Sequence, residues 1–206
     1  LDASGAYKAC NRQYESCADE TLAQRAVAND MNAFGELMQR YKGSLFGYIC
    51  RMVSNRADAE DLFQETFIQV YKNLKQYRSD MPFRPWLYGI ATNRCRDHFR
   101  KRNRRPQEVS WMSGINDEQA DSLERVEANT PSPAELAIAH ETAAQLEQAL
   151  MDLPEKQRAV FLMARYHDMS YRDIALTLHI PEGTVKSRMH NAVNFLLTRM
   201  EKSTKS

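Results

Sequence analysis

From Ala33 to Phe99 the apolar residues recur every three or four positions, and nowhere in the chain do they alternate with polar ones. That spacing lines one face of an α-helix and cannot line one face of a strand, so it restricts the fold to packed helices. Phe34, Leu37, Met38, Tyr41, Leu45, Tyr48, Ile49 and Met52 make a first stripe, which Asn55-Arg56 interrupts. Asp58 is placed to cap a second helix, with Leu62, Phe63, Thr66, Phe67, Val70, Tyr71 and Leu74 on its inner side. After a loop holding Ser79, Asp80 and Pro82, a third pattern runs through Phe83, Trp86, Leu87, Ile90, Ala91 and Phe99. A short helix from about Glu20 to Asn29 is expected to pack on these three as a helical bundle.

Periodicity fails between Arg105 and Pro133, where Pro106, Gly114, Pro131 and Pro133 stand among many acids. Such a stretch reads as a flexible linker, within which Trp111 and Met112 are candidates for docking on a partner or back on their own lobe. Helical spacing resumes with Leu136, Ala139, Ala143, Leu146 and Leu150. Pro154 opens a further helix with Val160, Phe161 and Met163 inside and Arg165 near its end. Ser170 and Asp173 form a capping signature for the segment SYRDIALTL. His179 to Gly183 is a turn, and TVKSRMHNAVNFLLTRM is the last helix. Helix, tight turn and helix, with Ala175 small at the crossing and Ile180 and Val185 apolar around the turn, is a helix-turn-helix. The expected fold is therefore all-α: two small helical domains, 18–105 and 134–206, joined by the flexible linker 106–133. Residues 1–17 form an extension to which no function is assigned.

The net charge of +1 argues against nucleic acid only if the charges are mixed, and they are segregated. Arg94 to Arg105 is dense in arginine and lysine with Asp97 its only acid, whereas Glu108 to Glu147 has Arg125 as its only arginine or lysine. One surface can then attract phosphate while another repels it. Phe83, Trp86 and Tyr88 precede Asn93, Arg94, Arg96, Arg100, Lys101 and Arg102. Aromatic faces beside a basic helix suit single-stranded DNA, because bases stack on rings while arginines follow the backbone. Leu87 is read as ordinary core, and Trp86 is open to either reading. Because its counter-charges lie in the flexible linker, the arginine run is read as more than a solvated face.

On the last helix Lys186, Ser187, His190 and Asn191 share one face, where they could reach base edges in a major groove. Arg188 is better placed for a phosphate, and Val185, Met189, Val193 and Leu196 for the core. The second helix of the first lobe presents Glu60, Asp61, Gln64, Glu65 and Gln69 opposite its stripe, a face useless for DNA and suited to a protein partner.

No phosphate loop, nucleophile elbow, paired zinc motif or dinucleotide fingerprint occurs, so neither an enzyme, a metal nor a cofactor is expected. The four cysteines include Cys50 and Cys95 within helical patterns and Cys10 and Cys17 in a polar stretch, all read as inert thiols. No run of about 18 apolar residues could cross a bilayer. The first twenty residues lack the apolar core of a secretory signal, which points to the cytoplasm.

Taken together, three segments resemble the extracytoplasmic-function sigma factors of bacterial RNA polymerase, from about Asp19 to Met200. DAEDLFQETFIQVYKNL is similar to their polymerase-binding segment, FRPWLYGIATNRCRDHFRKRNRR to their promoter-melting and −10-reading segment, and LPEKQRAVFLMARYHDMSYRDIALTLHIPEGTVKSRMHNA to their −35-reading domain. The resemblance implies that Asp61, Gln64 and Glu65 meet the clamp of the polymerase's largest subunit, with a further contact to the flap of the second largest. It implies that Trp86, Asn93, Arg94, Asp97 and Arg100 handle single-stranded −10 DNA. Lys186, Ser187, His190 and Asn191 would read duplex −35 DNA, with Arg188 at the backbone. It also implies an anti-sigma factor as a partner and no catalytic chemistry. The chain departs from the family pattern at His167-Asp168, where a Gly-containing turn is usual, and at Asn191, Val193 and Asn194, where basic residues often continue. A linker of roughly 30 residues can span about 100 Å at ~3.3 Å per residue. That exceeds the roughly 58 Å between elements about 17 base pairs apart. The rival reading is a stand-alone helix-turn-helix regulator, and a third is a protein-interaction adaptor.

Overall fold

The structure, a computed structural model, describes residues 14–78, 80–104 and 133–203, and among these every regular element is helical. The first lobe consists of α1 (Asp19–Val27), α2 (Met31–Val53), α3 (Arg56–Asn73), a 3₁₀ turn (Leu74–Gln76) and α4 (Phe83–Arg104). The second consists of α5 (Pro133–Asp152), α6 (Glu155–Tyr166), α7 (Tyr171–Leu178) and α8 (Glu182–Ser203). Most of the linker, with Trp111, Met112 and the acids around them, lies outside the described residues, as do Cys10 and Ser79.

Local chemistry explains the element ends. Asp30 caps α2, its Oδ1 accepting from the amides of Asn32 and Ala33 at 3.1 Å each. These amides and the Tyr14 hydroxyl, at 2.9 Å, hold the Asp30 carboxyl below its ordinary range. The cap of α3 is Asn55 rather than the expected Asp58: Asn55 Oδ1 accepts the Asp58 amide at 3.2 Å. Both residue types cap well, and Ser54, left-handed at φ 65°, turns the chain so that Asn55 arrives first. Ser170 caps α7 through the Asp173 amide at 3.1 Å, and its hydroxyl donates to the Asp173 carboxylate at 2.7 Å. The Asp173 carboxylate thus completes the cap through the Ser170 hydroxyl. At the far end of α7, His179 adopts a left-handed conformation, φ 52°. The amides of His179 and Ile180 close back on the carbonyls of Leu176 and Ala175, the Schellman pattern that normally uses glycine.

The inner faces largely follow the periodicity. Leu37, Leu45, Tyr48, Ile49 and Met52 of α2, Leu62 and Val70 of α3, and Phe83, Leu87 and Ala91 of α4 are buried, whereas Tyr71 remains 54 % exposed. In the second lobe Leu150, Val160, Leu162, Met163, Ile174, Val185 and Leu196 are buried. The residues that sequence spacing could not assign are the ones joining the two lobes. The lobes lie in direct contact, and the buried apolar residues form one continuous cluster from Tyr14 to Leu196. The back of α4 packs on α7, and α2 packs on α5 and α6.

Candidate nucleic-acid interface

Helix α4 carries three kinds of surface. Phe83, Leu87, Ala91 and Cys95 face the first lobe's core and are fully buried, and burial pushes the Cys95 thiol up to about 12. Such a thiol stays protonated and unreactive at neutral pH, in keeping with its reading as a core residue. Arg84, Tyr88, Gly89 and Arg96 face the second lobe. Trp86, Asn93, Asp97 and Arg100, at steps of seven, four and three residues, share the remaining side, which is partly or wholly open to solvent.

An aromatic cluster sits at the start of this open side. The Trp86 ring lies 5.1 Å from Tyr77 and 5.6 Å from Phe83, tilted against both. Tyr77 is itself fixed by a 2.6 Å bond from its hydroxyl to the Met81 carbonyl. Trp86 is therefore half-buried, packed against Tyr77 and Phe83 and partly open to solvent. Farther along, Asn93 is exposed, while the Asp97 carboxylate stands 3.3 Å from Arg94 and 3.6 Å from Arg100. Asp97 thereby fixes two guanidinium groups on one stripe without cancelling the basic run, since Lys101 and Arg102 remain exposed.

The counter-charges to this run are closer than the linker. His98 lies 3.5 Å from Asp58 of α3. Asp58, Asp61 and Glu65 share with Arg94, Asp97, His98 and Lys101 a small groove of about 130 Å³. The acidic face of α3, with Asp61, Gln64 and Glu65 exposed, thus borders the basic helix directly. Sequence spacing showed each face but not that they are neighbours.

On α8 the side chains of Lys186, Ser187, His190 and Asn191 are all exposed. The Ser187 hydroxyl donates to the Thr184 carbonyl at 3.0 Å, and the His190 ring is held 2.9 Å from the Asn194 amide nitrogen. Val185, Ala192 and Leu196 are buried on the other face, with Met189 and Val193 partly so. Arg188 departs from the phosphate-ready placement expected of it. It is half-buried towards Arg96 of α4, and its Nη1 finds no hydrogen-bond partner among the described residues. Burial and the Arg96 charge both push the Arg188 guanidinium down.

Two residues to which sequence reasoning assigned no role hold the lobes together. His167, the odd residue of the turn before α7, has its Nδ1 2.9 Å from the Tyr88 hydroxyl. Its ring lies 4.8 Å from Tyr88 and 5.6 Å from Tyr48. Buried Arg158 donates to the Met52 carbonyl at 2.6 Å and to the Leu153 carbonyl at 2.9 Å, and also to the Met151 carbonyl. It closes the last turns of α2 and α5 at once.

No helix among the described residues is long and apolar enough to cross a membrane. The sequence matches the family Sigma-70 region 2 over residues 37–105 and the family Sigma-70, region 4 over residues 143–196. It is 34% identical to the RNA polymerase sigma-H factor of Pseudomonas aeruginosa over 84% of this chain and 89% of that protein. With the ECF RNA polymerase sigma factor SigW of Bacillus subtilis it is 31% identical, over 78% and 85% of the two chains. With the ECF RNA polymerase sigma-E factor of Escherichia coli it is 30% identical, over 86% and 92%. Two solved structures share the fold. CnrH in complex with the cytosolic domain of CnrY superposes with a TM-score of 0.66 at 24% identity, covering 90% of this chain and 99% of that one. The sigma factor RpoE of Bartonella quintana, in complex with the anti-sigma factor NepR, superposes with a TM-score of 0.64 at 23% identity, covering 82% and 96%. With both conserved regions in order and the same two-lobed helical fold, this chain belongs to the extracytoplasmic-function sigma factors, the promoter-selecting subunits of bacterial RNA polymerase.

Proposed function

We propose that the two lobes divide the work of initiation by the faces described above. Asp61, Gln64 and Glu65 on α3 bind the clamp of the polymerase's largest subunit, and the second lobe meets the flap of the second largest. Trp86, Asn93, Arg94, Asp97 and Arg100 take the opened −10 strand. Stacking on the solvent-open part of the Trp86 ring offsets part of the few kcal/mol needed to unstack a base. Lys186, Ser187, His190 and Asn191 read the −35 duplex in its major groove, and Arg188 joins them at the phosphate backbone. The domain limits follow the same division: 18–105 for polymerase and −10 DNA, 134–206 for −35 DNA, with 106–133 between. The chain supplies no catalysis of its own, works in the cytoplasm where polymerase is, and is held inactive by an anti-sigma factor, as the RpoE–NepR pairing suggests by analogy.

The observation that carries this reading is the pairing of opposite surfaces on one lobe. An exposed acidic face on α3 adjoins an aromatic and basic face on α4, both open to solvent. The acids are useless to DNA and apt for a basic protein surface, so the lobe suits a protein and a nucleic acid at the same time. Run-off transcription with core polymerase tests the whole: specific initiation requires both this chain and core. Changing Asp61 and Gln64 together to Ala weakens core binding by about tenfold or more while the helix content is kept. Unchanged core affinity removes the α3 assignment, and specific duplex binding that needs no polymerase favours a stand-alone regulator instead.

A further inference from the structure

Helix α4 starts without a cap of its own. Pro82 stands at its cap position, where its carbonyl takes the Trp86 amide at 3.5 Å, and its side chain has no acceptor. Of the amides that a helix start leaves without an internal partner, those of Pro82 and Pro85 do not exist, since proline carries no N–H. The Phe83 and Arg84 amides remain. The first is served from another element: the Glu20 carboxylate of α1 accepts the Phe83 amide at 3.2 Å, across 63 residues of sequence. A carboxylate at a helix N-terminus also meets the positive end of the helix dipole. Glu20, in the first turn of α1, does so for two helices at once.

The surroundings hold Glu20 in this place. Beside it Asp19 pairs with Arg40 of α2 at 2.8 Å and accepts from the Tyr41 hydroxyl. Leu22, Ala23 and Ala26 bury the inner side of α1, and the Tyr41 ring lies 5.7 Å from Phe83. The groups that Glu20 reaches are the ones on which Trp86 packs. Phe83, whose amide it takes, has its ring 5.6 Å from Trp86 and 5.7 Å from Tyr77, the other neighbour of Trp86. Burial first, and the Glu20 charge second, push the Tyr77 phenol up to about 12, so Glu20 acts on that ring as well. An acid repels phosphate, and Glu20 can therefore serve DNA only through these groups.

We propose that Glu20 is a positioning residue for −10 reading: by taking the first amide of α4 it fixes where that helix starts, and with it the stance of the Trp86 ring towards a base. The proposal rests on the assignment of Trp86 and the open side of α4 to −10 DNA made above. A binding group performs well only when held to within about half an ångström by its supports. A helix start that frays releases Phe83 and, through it, Trp86.

The test uses holoenzyme assembled from core polymerase and the full chain, either unchanged or carrying Glu20→Ala or Glu20→Gln. Alanine keeps α1 helical and removes the acceptor, whereas glutamine keeps an acceptor oxygen without the charge. Thr21→Ala, an exposed change on the same turn of α1, is the control. The probes are a single-stranded DNA bearing the −10 segment of a promoter from which the wild-type holoenzyme initiates, and a scrambled strand of the same composition. Glu20→Ala is expected to lower the preference for the matched strand about five- to tenfold, the worth of one charge-assisted hydrogen bond. Glu20→Gln should return to within about threefold of wild type. Thr21→Ala should equal wild type, and core affinity should be the same in every chain. If alanine lowers the helix content, Glu20→Asp takes its place: its carboxylate falls a methylene short of the Phe83 amide, and the same loss is expected. Wild-type preference in that variant overturns the positioning role and leaves the α4 assignment standing. A glutamine variant no better than alanine overturns it too, because the charge and not the amide bond is then responsible. A loss of core affinity equal to the loss of preference makes Glu20 a general support of the lobe, which also overturns the proposal. A wild-type holoenzyme that does not distinguish the two strands strikes the α4 assignment, and the proposal with it.

Discussion

The hydroxyl of Tyr88 and Nδ1 of His167 lie 2.9 Å apart across 79 residues of sequence, and the bond joins the back of α4 to the turn that precedes the helix-turn-helix. Burial pushes the His167 imidazole down to about 4, with the Arg84 and Arg51 charges adding to the effect and Asp168 opposing it. The other groups around the ring are the hydroxyl of Tyr88 and the ring of Tyr48. Because the folded value lies below the unfolded one of 6.5, the folded chain holds His167 neutral. Its contribution is whole above about pH 6.5 and is lost as the pH falls towards 4. Between pH 8 and pH 5 this single group should remove about 2 kcal/mol of unfolding stability. Urea denaturation at the two pH values measures it. In His167→Gln, which cannot take the proton, the difference should shrink by that amount, and an undiminished difference would place the proton uptake elsewhere.

How far could the sequence be read? Helices and their inner faces were legible because apolar spacing is a local property, as the buried run from Leu37 to Met52 shows. The open stripe of α8 was legible for the same reason: Lys186, Ser187, His190 and Asn191 stand on the side opposite Val185 and Leu196. The cap of α3 was misplaced by three residues, since Asn55 and Asp58 are equally able to cap and only the left-handed Ser54 decides between them. The lobe contact was not legible at all. Gly89 reads in one dimension as a weak point in a helix, and Arg158 as an ordinary surface arginine. Their roles arise from groups 88 and 106 positions away, Thr177 and Met52. The inward turn of Arg188 was not legible on the same ground, because helical spacing places it on α8 but only the neighbouring lobe brings Arg96 beside it.

Arg158 should be the most sensitive polar residue of the second lobe. Its guanidinium serves the carbonyls of Met52, Met151 and Leu153, all near helix ends that otherwise lack partners. Burial pushes its own basicity down, so the charge is tolerated only because those carbonyls surround it. Replacing it with Met keeps the volume and leaves the carbonyls unpaired, and should cost about 2–4 kcal/mol. Lysine in its place keeps a charge but serves fewer carbonyls, and should fall between the two. Chemical denaturation of each variant gives the comparison, and a Met variant as stable as the parent would show that water replaces the guanidinium.

Residues 14–18 should depend on one side chain of α2. Arg40 donates to the carbonyls of Tyr14, Cys17 and Glu15 at 2.7, 2.8 and 2.9 Å, and pairs with Asp19 at 2.8 Å and Glu36 at 3.0 Å. In Arg40→Ala the amides of this segment should exchange hydrogen at least about tenfold faster, the equivalent of one or two charged hydrogen bonds. Exchange in α8, which shares no contact with Arg40, should not change. Equal acceleration everywhere would mean that Arg40 stabilises the whole molecule rather than its leading segment.

Lys186 and Arg188, two positions apart on α8, should separate base reading from backbone anchoring. Lys186 is exposed on the stripe with Ser187, His190 and Asn191, whereas Arg188 is drawn under towards Arg96. A lysine aimed at a guanine edge contributes to discrimination, so Lys186→Ala should lower the preference for the cognate upstream element by about tenfold or more, with little change on unrelated DNA. Arg188 is assigned to a phosphate, and a phosphate contact carries no sequence information. Arg188→Ala should therefore weaken holoenzyme binding to all promoters alike and reduce the salt dependence of binding by about one charge. Promoter binding at several salt concentrations, with matched and scrambled upstream elements, resolves the two variants. If Arg188→Ala lost discrimination and Lys186→Ala did not, the reading face of α8 would have to be redrawn around the half-buried arginine.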